Sequence, residues 1–329
     1  MIGNLGELVR SEYIACDLCG STDHEIVYSK IDHVTGLEFN LVKCACGMAF
    51  VNPMPIDESV PLLYPSDYLN EKPYLGQLFE NMLRLLPQLP KEERHLLDVG
   101  CGTGHFIRCA TNAGWDAEGV DFVNWGGPKD DLKIRLGNFP LMDLPEGYYK
   151  VITSWAVLEH VRRPSFFFEK IGRLLSENGT FIFTVPNIES PGMKLSCDED
   201  VPRHLWLFTP STAKKYLARY GMEVQTILHN GKIYRSYPFG LIRYGWNVLV
   251  MKDEAKCSVY QNKSVSLLRN RSVDVHFRQW IGEVVKSLSP WDIFIDGLDL
   301  ALGIFLANIS KLMKNYGVIT VIATKNGGA

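Results

Sequence analysis

The chain has 329 residues, of which 46% are hydrophobic and 22% charged, a composition typical of a soluble globular protein that buries a sizeable core. Its length exceeds that of one average domain, which predicts one large domain with smaller modules. The net charge of -3 and the isoelectric point near 6.3 give no general basic field for nucleic-acid phosphates, so no nucleic-acid partner is expected.

The first fifteen residues show no pattern of a secretory signal. Glu7, Arg10 and Glu12 interrupt the apolar residues, so no continuous hydrophobic region forms. Four of the eight cysteines form two close pairs near the N-terminus, and this usage fits a reduced chain with one metal site better than a disulfide-bonded one. We therefore expect a cytoplasmic location.

The two cysteine pairs predict a structural zinc site in a small N-terminal ribbon, residues 1–60. Cys16 and Cys19 form one pair, Cys44 and Cys46 the other, and a glycine follows each pair. This spacing lets a tight turn direct two thiolates at one ion, and four thiolates leave no open catalytic position on Zn²⁺. The second pair is C-x-C instead of the usual C-x₂-C, so four unrelated buried thiols remain the alternative interpretation.

A glycine-rich turn follows a predicted linker helix over residues 61–94. The apolar run His95–Val99 predicts a buried parallel strand, and a helical pattern begins soon after it. Between them lie three glycines at alternate positions, Gly100, Gly102 and Gly104. Strand, glycine turn and helix open a doubly wound nucleotide-binding sheet, in which the backbone must turn sharply and approach the ligand closely.

Two acidic residues near this turn indicate the kind of nucleotide. Asp98 precedes the glycines, where a carboxylate repels a pyrophosphate but can pair with a cationic amino-acid group. Asp121 ends the next predicted strand, where a carboxylate can accept both hydroxyls of a ribose. The turn is G-x-G-x-G, whereas dinucleotide sites use G-x-G-x-x-G, so NAD is disfavoured.

Several segments in chain order are similar to one family. Residues 97–104 resemble motif I of class I S-adenosylmethionine-dependent methyltransferases. Residues 150–161, which contain Leu158-Glu159-His160-Val161, resemble the fourth-strand segment of that family. Residues 164–175 and 179–187 resemble the next helix and the fifth strand, and residues 203–209 resemble a histidine-bearing loop. The N-terminal ribbon, followed by Asn52-Pro53 and a tyrosine-rich stretch, resembles members that act in sugar and polysaccharide biosynthesis.

The resemblance implies S-adenosylmethionine as the cofactor. Asp98 and the glycines would hold its methionine end, and Asp121 its ribose. Phe122 would flank the adenine, with Asn138 and Phe139 at the adenine amine. The residues implied to bind the cofactor are Asp98, Gly100, Gly102, Gly104, Asp121, Phe122, Asn138, Phe139 and Trp155.

Two histidines are candidate catalytic bases. His160 follows the fourth predicted strand and His204 the fifth, at the ends where open α/β sheets gather their ligands. Histidine suits general-base work near neutral pH. Arg203 and Trp206 are candidate contacts for the anion and ring of a sugar nucleotide. The structural alternatives are that His204 anchors its loop and that His160, with Glu159, orders the cofactor pocket or the start of a helix.

The C-terminal part of the chain predicts two edge strands separated by an insertion. Residues 223–228 and 318–324 are expected to pair antiparallel, and residues 231–316 between them to be mainly helical. Helical spacing covers residues 273–288 and 296–315. Asp296, Asp299 and Asn308 argue against a transmembrane helix, while interfacial membrane contact remains an alternative. The insertion is expected to form a cap, an acceptor pocket or a dimer contact, in a monomer or homodimer.

The sequence therefore predicts an α/β fold, with a doubly wound seven-stranded Rossmann-like methyltransferase sheet and an antiparallel last strand. The catalytic domain is expected over residues 95–230 and 317–329. The predicted function is methyl transfer to a hydroxyl or carbon of a sugar, nucleotide sugar or glycan precursor. The alternatives are methylation of a quinone, lipid or other small metabolite, or a non-catalytic S-adenosylmethionine-binding scaffold.

Overall fold

The computed structural model describes residues 8–32, 34–64, 76–125, 131–190, 200–229, 233, 290–313 and 316–327. Most of the predicted insertion, including the helical pattern over residues 273–288, lies outside the described residues. The predicted helix over residues 296–315 is described almost to its end.

The N-terminal residues form a small antiparallel structure. Its strands are β1 (Ser11–Glu12), β2 (His24–Ile31), β3 (Glu38–Cys44), β4 (Ala49–Val51) and β5 (Met54–Pro55). β2, β3 and β4 pair in sequence order, and β1 pairs with β5. On β3, Phe39 and Leu41 are buried on one face and Val42 and Cys44 on the other, while β2, at the sheet edge, stays largely exposed. β2 and β3 thus form an antiparallel hairpin between the first and the second cysteine pair.

The central sheet of the described chain has seven strands. These are β6 (His95–Val99), β7 (Asp116–Asp121), β8 (Lys133–Leu136), β9 (Tyr149–Trp155), β10 (Leu175–Pro186), β12 (Met222–Leu228) and β13 (Val318–Lys325). Their order is β12-β13-β10-β9-β6-β7-β8. The pairs from β10 to β8 are parallel, whereas β13 runs antiparallel to both β10 and β12. The predicted fold class is therefore confirmed, including the antiparallel last strand.

Five α-helices lie in the described residues. They are α1 (Gly76–Leu83), α2 (His105–Asn112), α3 (Pro164–Leu174), α4 (Pro210–Arg219) and α5 (Pro290–Leu312). Of these, α2, α3 and α4 pack against strands of the sheet. The central strands β9 and β10 are buried almost throughout because helices lie on their faces, as parallel sheets require. Phe168 of α3 packs edge to face on Phe181 and Phe183 of β10 and stacks on Tyr216 of α4.

The two sheets are joined by a short strand, β11 (Trp206–Leu207). β11 follows the central strand β10 in the chain, yet it pairs antiparallel with β4 and completes the N-terminal sheet. The Trp206 indole is fully buried and stacks on Phe50 of β4, with 4.9 Å between ring centroids. The predicted ribbon and the predicted catalytic domain therefore share a sheet.

Helix α5 contains the apolar pattern predicted over residues 296–315. Phe294, Leu298, Phe305 and Leu312 on this helix are exposed. None of the helices in the described ranges combines the length and the apolar character that crossing a bilayer requires.

Candidate active site and metal centre

The four N-terminal cysteines converge at one point. The Cys16 and Cys46 sulfurs lie 3.6 Å apart, those of Cys19 and Cys44 lie 3.4 Å apart, and all four lie within 4.8 Å of one another. A tetrahedral Zn²⁺ with Zn–S bonds of about 2.3 Å spaces its sulfurs by about 3.8 Å. The shortened C-x-C pair thus reaches the same point as the C-x₂-C pair, and the donor set fits zinc.

An aspartate inside the first cysteine turn attaches this cluster to the central domain. The Asp17 carboxylate accepts hydrogen bonds from the Ser165 amide (2.8 Å), the Ser165 hydroxyl (2.6 Å) and the Tyr216 hydroxyl (2.8 Å). Ser165 lies in the first turn of α3, where amides lack intrahelical partners and negative charge is favourable. The sequence interpretation missed Asp17, because nothing near Cys16 indicates a partner so far along the chain.

The backbone of the glycine turn has a conformation that favours glycine. Gly100, Gly102 and Gly104 all have positive φ, at 78°, 55° and 84°. A Cβ on Gly100 would overlap the Val157 side chain, and one on Gly104 would lie 2.6 Å from the Ile134 side chain. Glycine is therefore required at both positions, for conformation and for space.

Asp98 lies buried at the end of β6, beside this turn. Its carboxylate accepts a 2.6 Å hydrogen bond from the Thr153 hydroxyl of β9, the residue directly opposite in register. Burial raises the pKa of Asp98 to about 8, an effect that Thr153 opposes and the charge of Asp121 increases. A buried carboxyl of this kind favours a cationic partner, because the partner would stabilise its ionised form.

Asp121 closes the other side of the turn. One carboxylate oxygen accepts the Gly102 amide at 2.8 Å, and the other accepts the Val123 amide (2.9 Å) and the Trp125 indole N–H (3.0 Å). These bonds hold the carboxylate over the glycines at the carboxyl end of β7, the position at which doubly wound folds bind a ribose.

The other residues implied to bind the cofactor lie in different environments. Phe122 is 72% exposed beside Asp121, and Asn138 is exposed next to Phe139. Phe139 is buried, with its ring 5.3 Å from that of Phe167. Trp155 is buried at the end of β9, and its indole nitrogen has no hydrogen-bond partner among the described residues. A ligand on the glycine turn could supply an acceptor for that nitrogen.

The segment after β9, which contains His160, packs against the glycine turn. Ala156 has a positive φ of 57°, and its amide donates to the Thr184 hydroxyl (3.0 Å) at the neighbouring end of β10. Val157 then packs on Gly100 so closely that a Cβ on this glycine would lie 2.3 Å from the valine side chain. His160 therefore lies on a segment that directly contacts the glycine turn.

The two predicted histidines meet. The His160 and His204 rings lie edge to face, with 4.8 Å between centroids and 68° between planes. The Glu159 carboxylate lies with them, since the polar atoms of the three side chains are within 4.8 Å of one another. Three groups from two separate loops thus form one polar cluster at the carboxyl ends of β9 and β10.

The hydrogen bonds of His160 define its tautomer. Its Nδ1 lies 3.0 Å from the Arg203 carbonyl oxygen and 3.0 Å from the Tyr64 hydroxyl. A carbonyl oxygen can only accept, so Nδ1 carries the hydrogen and Nε2 carries the lone pair. Burial lowers the pKa of His160, so the ring is neutral at pH 7. His160 is therefore in the protonation state that a base or a hydrogen-bond acceptor requires.

Glu159 is the buried acid of this cluster. It is 1% exposed, and its Oε2 has no hydrogen-bond partner among the described residues. Burial raises the pKa of Glu159 to about 8, so the side chain is mostly protonated at pH 7. A protonated carboxyl can donate as well as accept.

Two proposed contacts for a sugar nucleotide are wrong. Arg203 is 2% exposed, and its guanidinium pairs with Asp32 and Asp200, so it cannot meet an incoming anion. Trp206 is fully buried in the N-terminal sheet and donates its indole N–H to the Arg162 carbonyl. Both residues hold the loop of His204 in place, because each is engaged with other parts of the fold.

Comparison with known proteins shows that the chain is similar to methyltransferases. Residues 72–227 match the family model described as a methyltransferase domain. A ubiquinone biosynthesis O-methyltransferase of Bordetella avium is 28% identical over 104 residues, which are 29% of this chain and 43% of that protein. A protein of Mycolicibacterium smegmatis named "Probable S-adenosylmethionine-dependent methyltransferase" is 27% identical over 144 residues, which are 41% of this chain and 54% of that protein. The chain thus spans about half the length of the curated relatives it matches.

A SAM-dependent methyltransferase from Archaeoglobus fulgidus aligns with a TM-score of 0.45 and 16% identity, over 75% of this chain and 93% of that chain.

Proposed function

We propose that this chain, whose residues 72–227 match the model of a methyltransferase domain, is a class I S-adenosylmethionine-dependent methyltransferase that methylates a hydroxyl or carbon of a sugar, nucleotide sugar or glycan precursor. The observation that carries the proposal is the ring contact between His204 and His160, because His160 lies on the segment that packs against the glycine turn. A base beside a cofactor turn is the arrangement that methyl transfer to a weakly nucleophilic atom requires.

The chain's own residues would hold the cofactor at its methionine end, its ribose and its adenine. Asp98 would pair with the methionine amino group, the glycine backbone would approach the methionine end closely, and Asp121 would accept the ribose hydroxyls. Phe122 would cover the adenine. S-adenosylmethionine supplies, when bound, an electrophilic methyl group on a positively charged sulfur.

His204 would act as the general base on the acceptor. Removal of a proton raises the nucleophilicity of an oxygen or carbon, and an imidazole does this near neutral pH. The neutral His160 ring and the protonated Glu159 would bind and orient the acceptor's polar groups. In-line displacement depends mainly on such positioning within a closed pocket.

We propose that the cysteine cluster binds one structural Zn²⁺. The sulfur spacings support the proposal, and the four protein ligands leave no open position for chemistry. The metal would stabilise a module too small to fold on its own apolar core.

The acceptor class has two candidates. The sugar hypothesis is supported by the cysteine ribbon that precedes the domain, as in the members that the sequence resembles. The quinone hypothesis is supported by the partial identity with the Bordetella avium ubiquinone biosynthesis O-methyltransferase. The third hypothesis, a scaffold that binds S-adenosylmethionine without turnover, would leave the histidine pair without a role.

A panel of acceptors separates these hypotheses. The full chain would be incubated with S-adenosylmethionine and either nucleotide sugars or reduced quinones and catechols, and release of S-adenosylhomocysteine would be measured. Turnover on a nucleotide sugar supports the proposed function. Turnover on phenolic acceptors alone supports the quinone hypothesis, and cofactor binding without turnover on any acceptor supports the scaffold.

A further inference from the structure

A buried arginine connects the N-terminal ribbon to the histidine pair. The Arg203 Nη1 donates to the Asp32 carboxylate at 2.9 Å and to the Leu63 carbonyl at 3.0 Å. Its Nε donates to the Asp200 carboxylate at 2.8 Å. All three charged side chains are at most 9% exposed. The guanidinium is therefore fixed from the ribbon on one side and from its own loop on the other.

The backbone of the same residue holds both histidines. The Arg203 carbonyl oxygen accepts the Nδ1 hydrogen of His160 at 3.0 Å. His204 is the next residue, and its amide donates to the Asp200 carbonyl at 3.0 Å, which closes the turn. A displacement of the Arg203 guanidinium would thus move the acceptor that fixes the His160 tautomer and the backbone that bears His204.

Asp32 is itself fixed within the ribbon. Its second carboxylate oxygen accepts the Thr35 amide and the Thr35 hydroxyl, both at 2.9 Å, in the turn between β2 and β3. The carboxylate therefore has one oxygen bound to the ribbon and the other bound to Arg203. Buried ion pairs give little net stability, because desolvation offsets much of the attraction, so a role in holding geometry is the simpler explanation of this pair.

We propose that Asp32 is a positioning residue of the methyl-transfer site, and that the ribbon thereby sets the geometry of His160 and His204 through Arg203. The inference rests on the proposed function for its kinetic consequence, but its structural consequence is independent of any acceptor. The ribbon would then take part in the reaction as well as bind the proposed metal.

The Asp32→Asn variant tests this proposal. An asparagine keeps the size of the side chain but loses the charge, and its NH₂ group would meet donors from Thr35 or Arg203. We expect kcat to fall on the order of 10- to 100-fold, the effect of a small misplacement of catalytic groups, while the Kd for S-adenosylmethionine changes less than about twofold. The Glu146→Gln variant is the control, since it removes the exposed ion pair with Arg173 and should leave both values unchanged. A fall in melting temperature with unchanged kcat would show that Asp32 is merely structural.

Imidazole NMR tests the same geometry without turnover. In the wild-type protein, ¹⁵N spectra should show His160 as the Nδ1–H tautomer with a slowly exchanging hydrogen, and Asp32→Asn should speed that exchange at least tenfold. The Arg203→Lys variant, which keeps the charge but cannot bind both aspartates, serves if Asp32→Asn does not fold, and the same faster exchange is expected. A wild-type His160 in the other tautomer, or exchange unaltered in the folded variant, would overturn the proposal. A protein with the predicted spectra but no turnover on any acceptor would contradict the proposed function alone.

Discussion

The Thr153 hydroxyl donates a 2.6 Å hydrogen bond to the buried Asp98 carboxylate, across two strands that are adjacent in the sheet but far apart in the sequence. This bond partly offsets the burial that raises the pKa of Asp98 to about 8. The protonation of Asp98 should therefore control cofactor binding near neutral pH.

Cofactor affinity should rise with pH. A cationic amino group pairs with the ionised form of Asp98, so the affinity for S-adenosylmethionine should increase between about pH 6 and about pH 8, by up to roughly tenfold per pH unit. Calorimetric titration at several pH values measures this. Asp98→Asn should bind weakly and with a shallower pH dependence, and Thr153→Val should shift the midpoint upward because the ionised form loses a donor. A wild-type affinity independent of pH would contradict this role of Asp98.

Stability should fall as pH rises above the acidic range. Burial raises the pKa of Glu159 from 4.5 to about 8, so between these values the folded state keeps a proton that the unfolded state has lost. The free energy of unfolding then falls with rising pH, by up to about 1.4 kcal/mol per pH unit for this group. The glutamine of Glu159→Gln cannot ionise, so the free energy of unfolding, measured with urea at several pH values, should fall less steeply with rising pH than in the wild-type protein. Exposed Glu58→Gln should retain the wild-type slope, and an equal slope in both variants would refute the assignment.

Metal content should depend on all four N-terminal cysteines. Freshly purified reduced protein should contain about one equivalent of zinc, and Cys44→Ser should lose most of it and unfold at a lower temperature. Cys109→Ser, in α2 and away from the cluster, should keep the metal. Less than half an equivalent in the wild-type protein would count against the site.

The attachment of the ribbon should depend on Asp17. Asp17→Ala leaves the Ser165 amide, the Ser165 hydroxyl and the Tyr216 hydroxyl without their acceptor, which should lower the free energy of unfolding by about 2–4 kcal/mol. Urea unfolding of Asp17→Ala and of exposed Asp23→Ala measures the difference. If the two variants are equally stable, Asp17 does not attach the ribbon.

The sequence was sufficient for the central fold because local patterns specify it. The apolar run before Gly100 predicted β6, and the glycine spacing predicted the sharp turn that follows it. The two histidines could be placed together because each follows a strand of one parallel sheet, and such strands end at the same edge.

The contacts between distant segments could not be predicted from a single sequence. Arg203 and Trp206 were expected to contact substrate because they flank His204, whereas the fold turns both inward against the ribbon. Asp32 and Asp17 gave no local signal, since their partners lie in other elements far along the chain. The pairing of β11 with β4 brings the loop of His204 against the ribbon. This pairing spans only two residues of each strand, which is too short for a periodic pattern in the sequence to predict it.

The most direct test of the central claim compares wild-type and His204→Ala proteins on an acceptor that the panel identifies. We predict that the variant binds S-adenosylmethionine with wild-type affinity in calorimetry, while its release of S-adenosylhomocysteine falls by roughly 10²- to 10⁴-fold, the usual loss of a general base. Wild-type turnover in a folded His204→Ala protein would contradict the assignment of His204 as the general base, because methyl transfer would then proceed without it.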